Sequence, residues 1–478
     1  MRTYITIFAI LLSTVLFSQN NIVNHKLNVK VSVETAEITV IDSITVNGEY
    51  NNIFSLNSEL VPSSTSKNIS LKKVEAKAKA NDVGMDRDTE ESDISITKWE
   101  IKGKDKTFVI SYKGKVVTEK EQSKEEYQRG FSSYSGIIND KGTYLAGSTY
   151  WVPVFDNKLM TFTLTTELPK DWKNVTIGKR VAESSTINNH TDTWVCDKPQ
   201  EEVFLIAAKF TEYSHSMNNG TMAMAFLRTP DEGIANKYLE VTEQYMAMYE
   251  EMLGKYPYTK FALVENFWET GYGMPSFTLL GEKIIRFPFI LHSSYPHELL
   301  HNWWGNSVYV DFKSGNWCEG TTVFMADHLI KEQRGIAEEY RRATLQKFTN
   351  YVTPENDFPL TKFLARNSGF SESIGYGKAM MMWQMLRQKL GNETFMKGFR
   401  KFYKDNIYKV ASYTDIRKAM EAVSGQNLEA FFTQWTTRLG APEIAIKQVK
   451  TDMYGGKYRV NITIEQVQKS EPFNIDLQ

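Results

Sequence analysis

Residues 292–328 read HSSYPHELLHNWWGNSVYVDFKSGNWCEGTTVFMADH, and this stretch decides what the rest of the chain is built to support. At its centre stands His297-Glu298-Leu299-Leu300-His301. Positions i and i+4 of a helix share one face, so a helix here sets the two imidazoles side by side. Each residue turns the helix by about 100°. Glu298 therefore falls to one side of His297, where it can face a water without ligating an ion held by the imidazoles. This H-E-x-x-H pattern places two His on zinc and a Glu as general base of metal-assisted peptide hydrolysis. With only 7 His in 478 residues, chance matches to it number on the order of 0.01.

A catalytic zinc takes three protein ligands and keeps a fourth position open. Glu319, 18 residues beyond His301, completes a His₂Glu set if the following helix returns it to the same place. The adjacent Cys318 is the competing donor, because thiolate is also a good zinc ligand. The expectation is one Zn²⁺ per chain on His297, His301 and Glu319. His292 and His328 are nearby spares, and His292 reads as a surface or supporting residue ahead of the helix.

The rest of the composition is that of an ordinary folded protein, with 41% hydrophobic, 24% charged and 13% aromatic residues. At 478 residues the chain exceeds what one core usually supports, so several domains are expected. A formal net charge of -1 and the lack of any basic stripe argue against a nucleic-acid partner. Cys196 and Cys318 are the only cysteines, and two buried thiols are expected rather than a disulfide framework. At the N-terminus, Arg2 precedes a short apolar run from Ile5 to Phe17 and then Ser18-Gln19-Asn20. That is the layout of a secretory signal peptide over 1–19, too short for a good membrane span. The mature chain is expected to be exported, periplasmic or secreted, with no transmembrane segment once the signal is removed.

From 20 to 215 the chain alternates apolar and polar residues in short runs, among them LNVKVSVE, EITVIDSITV, KTFVISYKGKV and MTFTLTTELP. Such period-2 segments mark half-buried strands, and Asn47-Gly48, Lys102-Gly103 and Asn218-Asn219-Gly220 supply turns between them. An antiparallel β-sandwich or saddle is expected, with the polar stretch 62–96 serving as connecting loops. Near 230 the period changes. Tyr238, Val241, Tyr245, Met248, Tyr249 and Met252 fall at helical spacing before Gly254, and FALVEN follows as a short buried strand. Helices then dominate to 438, and EIAIKQV and YRVNITIEQV in 439–478 read as strands that begin a further C-terminal β-domain, cut short. The fold class is multidomain α+β.

PHELLHNWWGNSV followed by NWCEG resembles the aminopeptidase N family of gluzincin zinc metallopeptidases, which also holds leukotriene-A hydrolase. YWVPVFDNKLMTFTLTTELPKDW, LGKYPYTKFALVE and IGYGKAMMMWQML resemble further parts of that family, so the likeness runs over roughly 22–478. The resemblance implies a thermolysin-like catalytic domain over 216–438 and a peptide or protein substrate. It also implies that Tyr376 of IGYGK hydrogen-bonds the developing oxyanion. Two departures stand out. The run from His301 to Glu319 is one residue shorter than usual, and Gly315 in the DFKSGN turn can absorb this. The family's substrate loop reads Gly-x-Met-Glu-Asn, its Glu gripping the free α-amino group. Here the aligned residues are Gly273, Met274, Pro275 and Ser276, so Pro275 replaces that carboxylate. Glu269 or a carboxylate of the N-terminal domain is a candidate substitute, and the backbone at Gly273-Met274 can still pair with an extended peptide. The implied activity is that of an aminopeptidase. The alternatives are a peptidase acting on blocked or internal sites, and a catalytically silent binding protein on the same fold.

Overall fold

The computed structural model describes residues 22–79, 94–116, 136–156 and 158–476. The expected signal peptide lies outside these residues. The N-terminal part is a seven-stranded sheet, flanked by a four-stranded and a three-stranded sheet. Ile22–Ser32 and Glu37–Val46 pair antiparallel, with Val23, Leu27, Val29, Ile38, Val40 and Ile44 all buried on the inner face. The period-2 pattern thus does what it predicts: one face of each strand enters the core and the other stays wet. Ile22–Ser32 also pairs parallel with Leu159–Pro169, because the chain returns to that edge only after a long excursion. Gly48, Gly103 and Gly220 have positive φ at the turns read from sequence.

The stretch 62–96 is not only loop. Ser63–Ser64, Ser70–Lys79 and the start of Ser95–Lys102 are strands within it. Ser70–Lys79 is an edge strand whose pairing slips between Lys73 and Glu75 and again between Glu75 and Ala78. Charged side chains and bulges of this kind protect sheet edges, and they also erase the alternation that marks a strand in sequence.

The second part is organised around a five-stranded sheet and a set of helices. Thr211–Ser216, Met222–Leu227, Lys260–Asn266, Phe277–Gly281 and Gly271–Met274 lie side by side in that order. Gly271–Met274 is therefore an edge, paired on one side only with Phe277–Gly281. Helix Glu232–Leu253 starts where the Asp231 side chain accepts a hydrogen bond from the Ile234 N–H at 2.9 Å, and stops at Gly254. The H-E-x-x-H segment forms the helix Ser294–Leu300, with His301 closing its last turn. The aromatic pair after it anchors that helix. Trp303 packs on Tyr249 and Tyr256, and Trp304 on Trp317, Phe399, Phe402 and Tyr403, with both indoles fully buried. Burying a side chain of that size removes about 150–250 Å² from water, worth roughly 4–6 kcal/mol as an upper bound.

The two parts touch behind the edge strand. Gly178 N–H donates to Ser276 Oγ at 3.4 Å, the Lys260 ammonium lies 5.4 Å from the Trp194 ring, and Tyr144 meets Trp268 edge-on. Beyond the helices, Ile444–Tyr454 and Lys457–Gln466 form an antiparallel hairpin, with Phe473 stacking back on Trp435. Both cysteines are free and buried, as expected.

Candidate metal centre and active site

The helix carrying Glu319 begins at Cys318 and continues through Phe324–His328 to Gln333; the helix carrying Tyr376 runs from Gly369 to Leu390. Each widens by a π-type turn, over Phe324–His328 and over Ser373–Lys378. Such turns recur at functional sites because the extra residue re-aims a side chain without ending the helix. Here they carry Asp327 and Tyr376.

His297 Nε2 lies 3.5 Å from Glu319 Oε2, and His301 Nε2 lies 3.6 Å from the same oxygen. The three donor atoms fall within 4.8 Å of one another, and the imidazole centroids are 4.9 Å apart. Ligand atoms about 2.0–2.2 Å from a tetrahedral zinc sit about 3.4 Å from each other. These two spacings match that edge, so the donor set fits zinc. Cys318 is placed elsewhere. Its Sγ lies 3.2 Å from Nδ1 of His301 and donates to the Trp304 carbonyl at 3.0 Å, behind the ring rather than in front of it. The sequence left Cys318 and Glu319 competing; successive residues point about 100° apart on a helix, and only Glu319 faces the two Nε2 atoms.

The far nitrogens are also held. Nδ1 of His297 meets the Asp327 carboxylate at 2.7 Å, and Nδ1 of His301 lies 3.1 Å from the Trp304 carbonyl. Partners of this kind fix the tautomer and the ring angle of a metal ligand. Asp327 was not singled out in the sequence, although it stands two helical turns past Glu319. His292 and His328 stay outside the site. His292 meets Tyr245 at an exposed position, and His328 is buried beside Phe324 and accepts from Arg341.

Electrostatics follow from burial and crowding. Burial disfavours charge on His297, but the adjacent Asp327 carboxylate outweighs it and holds that imidazole well above its ordinary range. Burial, helped by Glu319 and Asp327, pushes the Glu298 carboxyl up to about 7 against the opposing pull of His297. Burial also works against charge on Glu319, yet His301 and His297 bring it down to about 2. The Tyr376 phenol is raised by burial and by Glu319, which its hydroxyl contacts. It is protonated at neutral pH and available as a donor, with its ring parallel to that of His297 at 6.5 Å.

These groups open onto a cavity of about 650 Å³. Gly271–Met274 forms one wall, and Leu280, Phe287 and Phe289 add apolar surface beside it. Gly273 comes so close that a Cβ there would meet Glu298 Oε2 and the Glu298 carbonyl at 2.9 Å and the His301 Cβ at 3.0 Å. Of the four residues read as the substrate loop, Gly273 and Met274 line this cavity. Pro275 and Ser276 do not: both are buried behind the strand, where the turn back into Phe277–Gly281 carries them. Ser276 has φ 69° and is held by Asn302 Oδ1 on its N–H at 2.7 Å and by the Lys260 ammonium on its carbonyl and hydroxyl at 3.0 and 2.8 Å. Asn306 Nδ2 donates to the Gly273 carbonyl at 2.8 Å. The residues just after His301 thus tie the edge strand to the metal-site helix, a role that no local pattern in the sequence announced.

Comparison with known proteins agrees with this geometry. Residues 291–435 match the family described as the peptidase family M1 domain. Aminopeptidase 2, mitochondrial, of Saccharomyces cerevisiae is 28% identical over 159 residues, covering 32% of this chain and 17% of that protein. The Tricorn protease-interacting factor F2 of Thermoplasma volcanium is 24% identical over 159 residues, covering 32% of this chain and 20% of that protein. The alignments thus span a fifth or less of these curated relatives. Among solved structures, the M1 zinc metallopeptidase of Deinococcus radiodurans superposes with a TM-score of 0.64 at 14% identity, covering 89% of this chain and 94% of that one. The β-rich N-terminal part and the helical part that follows are thus arranged as in that fold. The segment that brings His297, Glu298, His301, Glu319 and Tyr376 together lies within the residues that match the peptidase family M1 domain.

Proposed function

We propose that the chain is a zinc-dependent metallopeptidase that hydrolyses peptide bonds and releases N-terminal residues. One observation carries this reading. A half-buried carboxylate, Glu298, and a protonated phenol, Tyr376, flank a His₂Glu donor set beside a strand edge that is paired on one side only. His297, His301 and Glu319 would hold the zinc, which would supply Lewis acidity for the carbonyl and for the attacking water. The chain's own residues do the rest. An extended peptide lies along Gly271–Met274 and is aligned by main-chain pairing with that edge. Glu298 takes the proton from the attacking water and returns it to the leaving nitrogen. The Tyr376 hydroxyl donates a hydrogen bond to the carbonyl oxygen as negative charge gathers there. Asp327 holds His297, and Asn306 holds the Gly273 carbonyl, so both sides of the reaction keep their places.

The curated relatives that share this segment include an "Alanine/arginine aminopeptidase", and a mutant form of the structurally similar Deinococcus enzyme was solved with a Tyr-Ser-Ala substrate. Both support a peptide as the substrate here. The proposal extends to residues 1–19 acting as an export signal; no helix among the described residues is long and apolar enough to cross a membrane. Incubating the zinc-loaded protein with a peptide library, free and N-acetylated, tests the activity by mass spectrometry. Stepwise trimming of free N-termini alone is the expected result. Equal cleavage of blocked peptides overturns the aminopeptidase assignment, and no cleavage at all overturns the peptidase reading.

A further inference from the structure

Of the cationic side chains lining the cavity, all but one have a carboxylate partner among the described residues. His297 has Asp327, Glu319 has the two imidazoles, Lys347 has Glu372 at 3.0 Å, and Glu269 accepts from the Lys283 N–H at 3.1 Å. Arg366, a solvent-exposed side chain, also lines the cavity, and among the described residues no carboxylate lies within 4.0 Å of its guanidinium and no acceptor takes its N–H groups. Its guanidinium carbon sits 5.8 Å from the centre of the Tyr376 ring. A cation at that distance is attracted to the ring face, and the guanidinium carries its five N–H donors in a rigid fork. That fork matches the two oxygens of a carboxylate, which it binds bidentately. Glu298, Glu319 and Glu372 act on Arg366 through space, but none is close enough to use those donors. The loop expected to supply a carboxylate for the substrate's ammonium carries Pro275 instead. Arg366 is therefore the one cation lining the cavity that has no carboxylate partner among the described residues.

We infer that Arg366 is a specificity-determining residue that binds a carboxylate of the substrate. This rests on the peptidase reading above and names the class of peptide that the site prefers: one bearing an anionic group on the Tyr376 side of the cavity. Either the α-carboxylate of a short peptide or an Asp or Glu side chain supplies that chemistry.

Matched peptides separate the cases. One pair differs only in a C-terminal acid against an amide; a second set, all amides, carries Asp or Glu against Asn or Gln at each position. Charged hydrogen bonds of this type contribute enough for about a ten- to hundredfold preference. The wild-type chain is expected to show that preference in kcat/KM for one of the two sets, which identifies the source of the carboxylate. In Arg366→Gln the acid-to-neutral ratio falls to within about twofold of unity, whatever the absolute rate, and in Arg366→Lys it is intermediate, because an ammonium keeps the charge but not the fork. The same ratios are read by calorimetry on zinc-loaded Glu298→Gln, alone and combined with Arg366→Gln. A binding preference without any hydrolysis by the wild-type chain sinks the peptidase reading and keeps the carboxylate site. No preference in the wild-type chain, or a preference that survives Arg366→Gln, overturns the assignment.

Discussion

Replacing Gly273 by Ala tests the fit between the edge strand and the general base. A Cβ at this position is placed 2.9 Å from both the Glu298 carbonyl and Glu298 Oε2, and 3.0 Å from the His301 Cβ. Ordinary van der Waals contact begins near 3.4 Å, so each neighbour must give by roughly 0.4–0.5 Å. The carbonyl and the Cβ belong to the helix that holds the two imidazoles and cannot yield without moving them. The carboxylate can swing, but only away from its working position. Overpacking of this kind costs about 1–3 kcal/mol of stability, and misplacement by about 1 Å can cost 10²-fold in rate. Gly271, two residues earlier on the same face, is the control: a Cβ there meets Glu298 Oε1 and Leu280 no closer than 3.8 Å. Gly273→Ala is expected to keep zinc and lose about ten- to hundredfold in kcat/KM on a free tripeptide, while Gly271→Ala stays within about twofold. Equal activity of the two variants, or a fully active Gly273→Ala, refutes the placement of the strand against Glu298.

Three further outcomes follow from contacts described above. Asp327→Asn removes the carboxylate 2.7 Å from His297 Nδ1, so zinc affinity measured against a competing chelator is expected to weaken about 10–100-fold; unchanged affinity would show that the contact does not orient the ligand. Tyr376→Phe keeps the ring and loses the donor, so kcat should fall by about 10²–10³ with KM little changed, and a matching rise in KM would assign the phenol to substrate binding instead. Lys260 is buried at 2% exposure without a carboxylate partner among the described residues, and burial lowers its pKa to about 7. An ammonium whose folded-state pKa lies below the unfolded value binds fewer protons when folded, so its contribution to stability rises with pH from about 7 towards the ordinary lysine value and is lost below. Between pH 7 and pH 9 the stability of the wild-type chain relative to Lys260→Met should therefore increase by about 2 kcal/mol in denaturant unfolding, and a difference that stays flat with pH removes the argument.

The parts of the site that sequence revealed are those fixed by local chemistry. His297, Glu298 and His301 declare themselves because a helix turns an i, i+4 spacing into proximity. The strands Ile22–Ser32 and Glu37–Val46 declare themselves because one wet face and one dry face write an alternation into the residues. Where the environment on both faces is alike, that code fails: Ser70–Lys79 is a charged, bulged edge and reads as loop. Contacts across long separations were invisible. Asn302 reaches Ser276, Asn306 reaches Gly273, and Asp327 reaches His297, and each of these residues looks locally like any other polar side chain. Pro275 and Ser276 show the same limit from the other side. The resemblance implied that they bind substrate, but the turn they occupy carries them away from the cavity lining. Cys318 against Glu319 needed the helix phase, which only the packing of Trp304 and Trp317 against the helices settles.

Glu298→Gln, assayed for zinc and for hydrolysis in the same preparation, tests the central claim most directly. Glutamine keeps the shape and cannot take a proton, and loss of a positioned general base typically costs 10²–10⁴ in rate. The account predicts one zinc per chain in both wild type and variant, with hydrolysis of a free tripeptide falling by at least about 10² in Glu298→Gln. Wild-type turnover by a zinc-loaded Glu298→Gln protein, or a wild-type protein that hydrolyses peptides with no zinc bound, contradicts it.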